Sequence, residues 1–299
     1  MRRMYRASLI GLVLVIAMIS AACGGDDSAD TTTTVADATT TTVAAFDLEA
    51  SVDEYLSALP EGFLAIGDVD AFKEGVEASG ALVIDIRETG EYAEGHIPGA
   101  VNIPIRTITA NLDKIPMDRQ VYVYCKSGFR AGQTLAALGM LGYDNVLSYK
   151  PGWNGWTEAE QEVSMDAVEA EVVGAPDINA ELLAAVDGFM STIPEGFLSA
   201  GTADSVVEAM DAGSAVIDVR TVGEFEKGHL EAATNIDLRA LASNLASVPT
   251  DSNVIVHCGS GHRAAMATAV LHVLGFDNEK GYGGSYDSLV EAGIPALTP

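Results

Sequence analysis

The chain repeats itself at domain length. Leu59-Pro60-Glu61-Gly62-Phe63-Leu64 returns as Ile193-Pro194-Glu195-Gly196-Phe197-Leu198. Ala81-Leu82-Val83-Ile84-Asp85-Ile86-Arg87 returns as Ser214-Ala215-Val216-Ile217-Asp218-Val219-Arg220. The offset is 134 at the first pair and 133 from the second through Cys125 and Cys258, so one gap aligns the halves. Solenoid repeats run about 20–50 residues, so a period this long marks a duplicated domain. Whatever fold the first half takes, the second takes too, and 299 residues leave room for two domains.

Each half alternates apolar runs with helical patterns. The patterns predict a helix over 70–78 (203–212), a buried strand over 81–86 (215–219) and a polar helical turn. A short strand follows over 100–103 (234–236), then a helix around 107–115 (238–248). The run 120–124, matched by 254–257, reads as a further buried strand, followed by a helix over 131–141 and a last strand over 145–149 (278–281). Continuous apolar strands alternating with helices predict a parallel sheet covered on both faces, an α/β domain. The acidic, Ala/Val-rich stretch 161–176 reads as a linker between a first domain over 46–160 and a second over 177–299.

The chemistry concentrates between the third of these strands and the helix that follows it. There the first half has Cys125-Lys126-Ser127-Gly128-Phe129-Arg130 and the second Cys258-Gly259-Ser260-Gly261-His262-Arg263. Each cysteine ends a strand and opens onto a helix start, where unpaired N–H groups and the positive dipole end favour an anion. A thiolate held there is a nucleophile at neutral pH. Gly128 and Gly261 let the loop turn with positive φ. Arg130 and Arg263 offer planar cationic forks. Lys126 adds a cation that Gly259 does not match, so the second loop is expected to be less positive unless His262 is protonated.

Further motifs stand in order around these loops: Asp85-x-Arg87, Glu91-Tyr92-Ala93-Glu94-Gly95-His96-Ile97-Pro98-Gly99-Ala100, Asn102-Ile103-Pro104, and Gly152-Trp153 with Trp156. With Cys-x-x-Gly-x-Arg they make both halves resemble the rhodanese (sulfurtransferase) domain. The resemblance implies two tandem domains, each a mainly parallel five-stranded sheet flanked by helices. It implies Cys125 and Cys258 as catalytic residues, with Lys126, Ser127, Gly128, Phe129 and Arg130 binding substrate at one site. Gly259, Ser260, Gly261, His262 and Arg263 do so at the other. Asp85 with Arg87, and Asp218 with Arg220, are expected as structural ion pairs, and His96 and His229 as structural ties. The implied reaction moves sulfane sulfur from a small sulfur-containing anion such as thiosulfate, through a cysteine persulfide, to a thiol or cyanide. A non-turnover sulfur carrier or binding module on the same fold stays open. Phosphatases resembling this family have five residues between Cys and Arg; both loops here have four, which disfavours phosphatase chemistry. Nothing in the sequence suggests a nucleotide cofactor, the five histidines are scattered, and no cysteine pair has metal-ligand spacing, so no cofactor is expected.

The halves differ. Pro98-Gly99 becomes Glu231-Ala232, and Trp153 and Trp156 become Tyr286 and Leu289. Residues 1–22 have a cationic start, an apolar run and small residues ending at Cys23, as a signal peptide does. Ser20-Ala21-Ala22-Cys23 resembles a bacterial lipobox, which implies cleavage before Cys23, lipid on its sulfur and an extracytoplasmic protein held to the cell membrane. Residues 23–45 are Thr-rich and lack apolar periodicity, as a disordered tether does. The net charge of −27 becomes −30 once Arg2, Arg3 and Arg6 leave with the leader. Such a surface excludes nucleic acid as a partner, and anionic substrates need local positive potential. Nothing in the sequence sets an oligomeric state.

Overall fold

The computed structural model describes residues 45–298. The leader, Cys23 and all but the last residue of the Thr-rich stretch lie outside the described residues. The first half runs α1 (Leu48–Ser57), β1 (Ala65–Ile66), α2 (Val69–Ser79), β2 (Leu82–Asp85), α3 (Thr89–Ala93), β3 (Val101–Asn102), two 3₁₀ segments (Ile105–Thr107, Thr109–Lys114), β4 (Val121–Tyr124), α4 (Phe129–Met140), β5 (Val146–Tyr149) and α5 (Gly152–Glu158). The second runs α6 (Ala180–Met190), α7 (Ala203–Asp211), β6 (Ala215–Asp218), α8 (Val222–Glu226), β7 (His229–Leu230), β8 (Ala233–Asn235), two 3₁₀ segments (Leu238–Ala240, Ala242–Ser247), β9 (Val254–His257), α9 (His262–Val273), β10 (Glu279–Gly281), α10 (Tyr286–Glu291) and β11 (Ala296–Leu297).

Both main sheets are parallel, as the apolar runs require. The first has five strands in the order β1-β5-β4-β2-β3. The second has four, β10-β9-β6-β8, where five were expected. The counterpart of β1 makes only the bridge between Ser199 and Gly281. Gly201 then turns the chain away with φ +78, so the second rung, Lys150 N–H to Ile66 C=O in the first half, has no equivalent. The C-terminal strand β11 pairs antiparallel with β7. Its first-half counterpart is one bridge from His96 to Ser164, so the linker begins by lying along the first domain.

The helices expected around 107–115 and 238–248 are paired 3₁₀ segments. Asn111 and Asn244 explain the change. Each side-chain amide donates at 2.7 Å to the carbonyl four residues back, the acceptor that a continuing helix would give its backbone. The backbone leaves helical angles at both asparagines.

Two helices absent from the sequence reading, α1 and α6, open the halves. Asp47 and Asn179 cap them by accepting from the N–H groups of the first turn. Each packs on the opposite half: α1 on the 3₁₀ segments of the second half and α6 on those of the first. Helices α4 and α9 cross between the halves at Gly132 and Ala265, where a Cβ on Gly132 would sit 3.0 Å from that of Ala265. One apolar core therefore runs from Val52 through Leu135 to Val273 and spans both halves. No helix among the described residues is long and apolar enough to cross a membrane.

Candidate functional site

Each cysteine loop is built where a parallel strand hands the chain to a buried helix. Cys125 follows β4, is 1% exposed, and its Sγ accepts from Gly128 N–H at 3.2 Å. Cys258 follows β9, is 0% exposed, and its Sγ accepts from Gly261 N–H at 3.1 Å. Both are free thiols. The two glycines sit at φ +88 and +83, just before α4 and α9. A Cβ on Gly128 would come within 2.2 Å of Lys150 O, and one on Gly261 within 2.2 Å of Gly283 O. Turn and close approach both demand glycine here, and the curl aims a backbone N–H at the sulfur.

The floors of the loops differ. The first is pinned by the start of α5: Trp153 N–H donates to Cys125 O at 2.8 Å and Asn154 N–H to Lys126 O at 2.9 Å. The second has one longer tie, Tyr286 N–H to Gly259 O at 3.4 Å.

Arg130 and Arg263 lie beside the sulfurs, each held by a glutamate that the sequence reading did not single out. Arg130 donates to Glu91 at 2.8 and 2.9 Å, and Arg263 to Glu224 at 2.6 and 2.7 Å. Burial opposes the charge on Arg130, yet its bonds to Glu91 and its nearness to Cys125 raise its pKa overall. The hydrogen bond from Arg263 pulls Glu224 down to about 2. Glu91 opens the motif that runs to Ala100, and Glu224 opens its second copy, but neither was assigned a role; their spacing of 39 residues from each arginine, the same in both halves, was the available signal.

The repeated Pro-Glu-Gly-Phe stretch proves to be part of the opposite site. Phe63 and Leu64, like Phe197 and Leu198, hold φ between 53 and 56, a rare conformation for such residues. The ring of Phe63 lies between Arg239 and Arg263 of the second half, at 4.3 and 4.9 Å. The ring of Phe197 lies between Arg106 and Arg130 of the first, at 4.8 and 4.9 Å. Stacking on an arginine face in a shielded place is attractive and fixes the fork's plane. Arg239 also donates to Leu59 O and Pro60 O, and Arg106 to Ile193 O. Each half thus clasps the arginine of the other.

Two expected substrate-binding residues belong to this clasp. Phe129 is buried, and its ring lies 2.8 Å from where a Cβ on Gly281 would stand. His262 is buried, and its Nε2 lies 3.1 Å from Phe63 O. Burial, with Lys150 and Arg263 nearby, lowers its pKa to about 4 despite that carbonyl. The imidazole is neutral at pH 7, and its Nε2–H donates to Phe63 O. The second loop does not gain charge from His262. Lys126, Ser127 and Ser260 are exposed at the loop surfaces.

Asp85 and Arg87 form a buried, bidentate pair at 2.6–3.0 Å, as do Asp218 and Arg220. Arg87 also donates to Gly95 O and lies 4.6 Å over Trp153; Arg220 donates to Gly228 O and lies 4.1 Å over Tyr286. Tyr124 donates to Asp85 at 2.6 Å; His257 takes its place, with Nε2 3.6 Å from Asp218. His96 and His229 stack on Tyr92 and Phe225 and bond to backbone carbonyls. Trp156 is core, donating to Glu162 O.

The Rhodanese-like domain family matches residues 68–159 and 202–292. The chain belongs to this family and carries two copies of its domain in tandem. Among similar proteins is a sulfurtransferase of Allochromatium vinosum, 41% identical over 75 residues, 25% of this chain and 70% of that one. Another is the thiosulfate sulfurtransferase GlpE of Shewanella oneidensis, 30% identical over 91 residues, 30% of this chain and 90% of that one. Two relatives from Bacillus subtilis are matched over 54% and 60% of their length. The crystal structure of SseA from Escherichia coli aligns with a TM-score of 0.36 at 22% identity, covering 75% of this chain and 98% of that one.

Proposed function

We propose that this protein is a sulfurtransferase moving sulfane sulfur from a small anionic donor such as thiosulfate to a thiol or cyanide, with Cys125 and Cys258 as nucleophiles. The observation that carries this is the cradle itself: a thiol at a strand end, a loop N–H within 3.2 Å of its sulfur, and a helix start behind it. Donors fixed at that place are aimed at the sulfur and meet the negative charge that it carries during transfer. The thiolate attacks the outer sulfur of thiosulfate. A new S–S bond forms on the cysteine, the bond to the sulfonate sulfur breaks, and its electron pair leaves with sulfite. Charge is conserved, since thiolate and thiosulfate become persulfide anion and sulfite. The same loop donors then hold the persulfide anion. Cyanide or a thiolate attacks the outer sulfur, breaking the S–S bond, leaving as thiocyanate or a persulfide and returning the cysteine thiolate.

Intact mass of the reduced protein after thiosulfate treatment tests this. The expected gain is two sulfur atoms, falling to one in Cys125→Ser and one in Cys258→Ser. Unchanged mass with intact thiols, from thiosulfate and mercaptopyruvate alike, would reject it. Burial of both sulfurs, at 1% and 0% exposure, favours a second reading: a carrier that loads stoichiometrically and shields its sulfur. Repeated turnover with cyanide separates the enzyme from the carrier.

The signal-peptide-like leader and the lipobox-like Ser20-Ala21-Ala22-Cys23 support a place for this chemistry outside the cytoplasm, on a lipid anchor at Cys23. Labelled palmitate should enter the full chain in a bacterial host and be absent from Cys23→Ala. Equal labelling of both proteins would remove the anchor from the proposal.

A further inference from the structure

The second cysteine loop has no uncommitted cation of its own. Gly259 stands where the first loop has Lys126. Arg263 gives both terminal nitrogens to Glu224, and its face to Phe63. His262 is buried and neutral, donating to Phe63 O. An anionic donor approaching this loop meets the Glu224 carboxylate as well as Arg263, and these charges cancel at a distance.

Lys150 comes from the other half. Its main chain belongs to the first site, since its N–H closes the β1–β5 ladder on Ile66 O and its carbonyl lies against Gly128. Its side chain crosses the interface, and Nζ donates to Ser260 Oγ at 3.1 Å. That hydroxyl is a neutral partner, so the contact holds the ammonium in place without cancelling its charge. Lys150, Phe63, Glu224, Ser260 and Arg263 line one pocket of about 280 Å³ between the halves. A pocket of this size suits a small anion rather than a larger organic ligand. The counterpart of Lys150 is Gly283, which has no side chain to cross in the other direction.

We propose that Lys150 is the anion-binding residue of the second site, and that this interdomain pocket takes the sulfonate end of a thiosulfate-like donor destined for Cys258. The proposal rests on the sulfur-transfer reading of Cys258. It makes that site composite: its nucleophile lies in the second half and its anion-reading cation in the first. The two sites are then unlike, one reading anions with Lys126 from its own loop and the other with a lysine lent across the interface.

The test uses the full chain with Cys125→Ser, so that only Cys258 loads. Persulfide formation is followed by intact mass against thiosulfate concentration, and sulfite binding is measured separately by calorimetry, which needs no sulfur transfer. Lys150→Met should raise the half-saturating thiosulfate concentration and the sulfite dissociation constant about tenfold, the size of one charge-assisted hydrogen bond. The maximal loading rate should stay within threefold, and Lys150→Arg should recover most of the affinity. Sulfite affinity and half-saturation within twofold of the parent in Lys150→Met would overturn the proposal, as would a parent that binds no sulfite. A parent that binds sulfite through Lys150 but never gains sulfur would instead remove the sulfur-transfer reading of Cys258 and leave the anion site standing.

Discussion

Asp85→Ala should cost about 3–5 kcal/mol of stability, the usual consequence of removing one partner from a buried ion pair. Asp85 is 0% exposed and Arg87 is 2% exposed. The carboxylate takes three side-chain contacts from Arg87, the Arg87 backbone N–H at 2.9 Å and the Tyr124 hydroxyl at 2.6 Å. Without it, the guanidinium keeps Gly95 O, the face of Trp153 and the more distant charge of Glu91, but loses its ion-pair partner. Tyr124 loses its acceptor, although it still accepts from Ile97 N–H. The lost partner therefore leaves a buried cation, which accounts for the size of the effect. The same pair positions the chain that carries Glu91, because Asp85 ends β2 and Arg87 reaches the turn after α3. Urea denaturation followed by tryptophan fluorescence reads the loss directly, since Trp153 and Trp156 both lie in the first half. A change below about 1 kcal/mol, the size of a surface pair, would mean that the ion pair is not a keystone of the domain.

His262→Phe should flatten the acid dependence of stability between pH 6.5 and pH 4. Burial is the main cause of the low folded pKa of about 4, against an ordinary value of 6.5. Above 6.5 the imidazole is neutral in both folded and unfolded chains, and the site contributes no pH dependence. As pH falls from 6.5 towards 4, the unfolded chain takes up a proton that the folded chain refuses, so stability drops. A shift of this size corresponds to about 3 kcal/mol lost across that window. Phenylalanine is the residue at the matching position of the first half, Phe129, and it has no proton to bind. It also gives up the bond to Phe63 O, so the variant starts less stable at pH 7 by about 1 kcal/mol. The discriminating quantity is the difference between wild type and variant at pH 7, 5.5 and 4.5, in which the titration of the shared carboxylates cancels. Parallel pH profiles would show that His262 is protonated with ease in the folded protein.

Much of this protein was legible because its chemistry is local. The strand-loop-helix around Cys125 and Cys258 needs only a few adjacent residues, and positive φ at Gly128 and Gly261 follows from the turn they make. The pairing of Asp85 with Arg87 was expected from the family pattern and not from spacing, and His96 and His229 were expected as structural ties; the structure has the pair at 2.6–3.0 Å and both imidazoles on backbone carbonyls. The 3₁₀ segments were read as helices because apolar periodicity does not register what Asn111 and Asn244 do to a backbone carbonyl. Helices α1 and α6 went unseen for a different reason: their apolar faces are completed by the opposite half, so neither can be judged against its own domain.

By itself the sequence determined that there are two copies of one α/β domain, each with a cysteine at a helix start, because duplication and local spacing leave no other reading. Tertiary structure alone decided how the copies complete one another. Lys150 reaches Ser260 across 110 residues, and His262 reaches Phe63 across 199. No periodicity links positions so far apart. Their meeting depends on α4 crossing α9 closely enough, at Gly132 and Ala265, for each half to close over the other's arginine. That approach also buries His262 and holds it neutral, which the letters of the loop, read alone, would have made a titrating group.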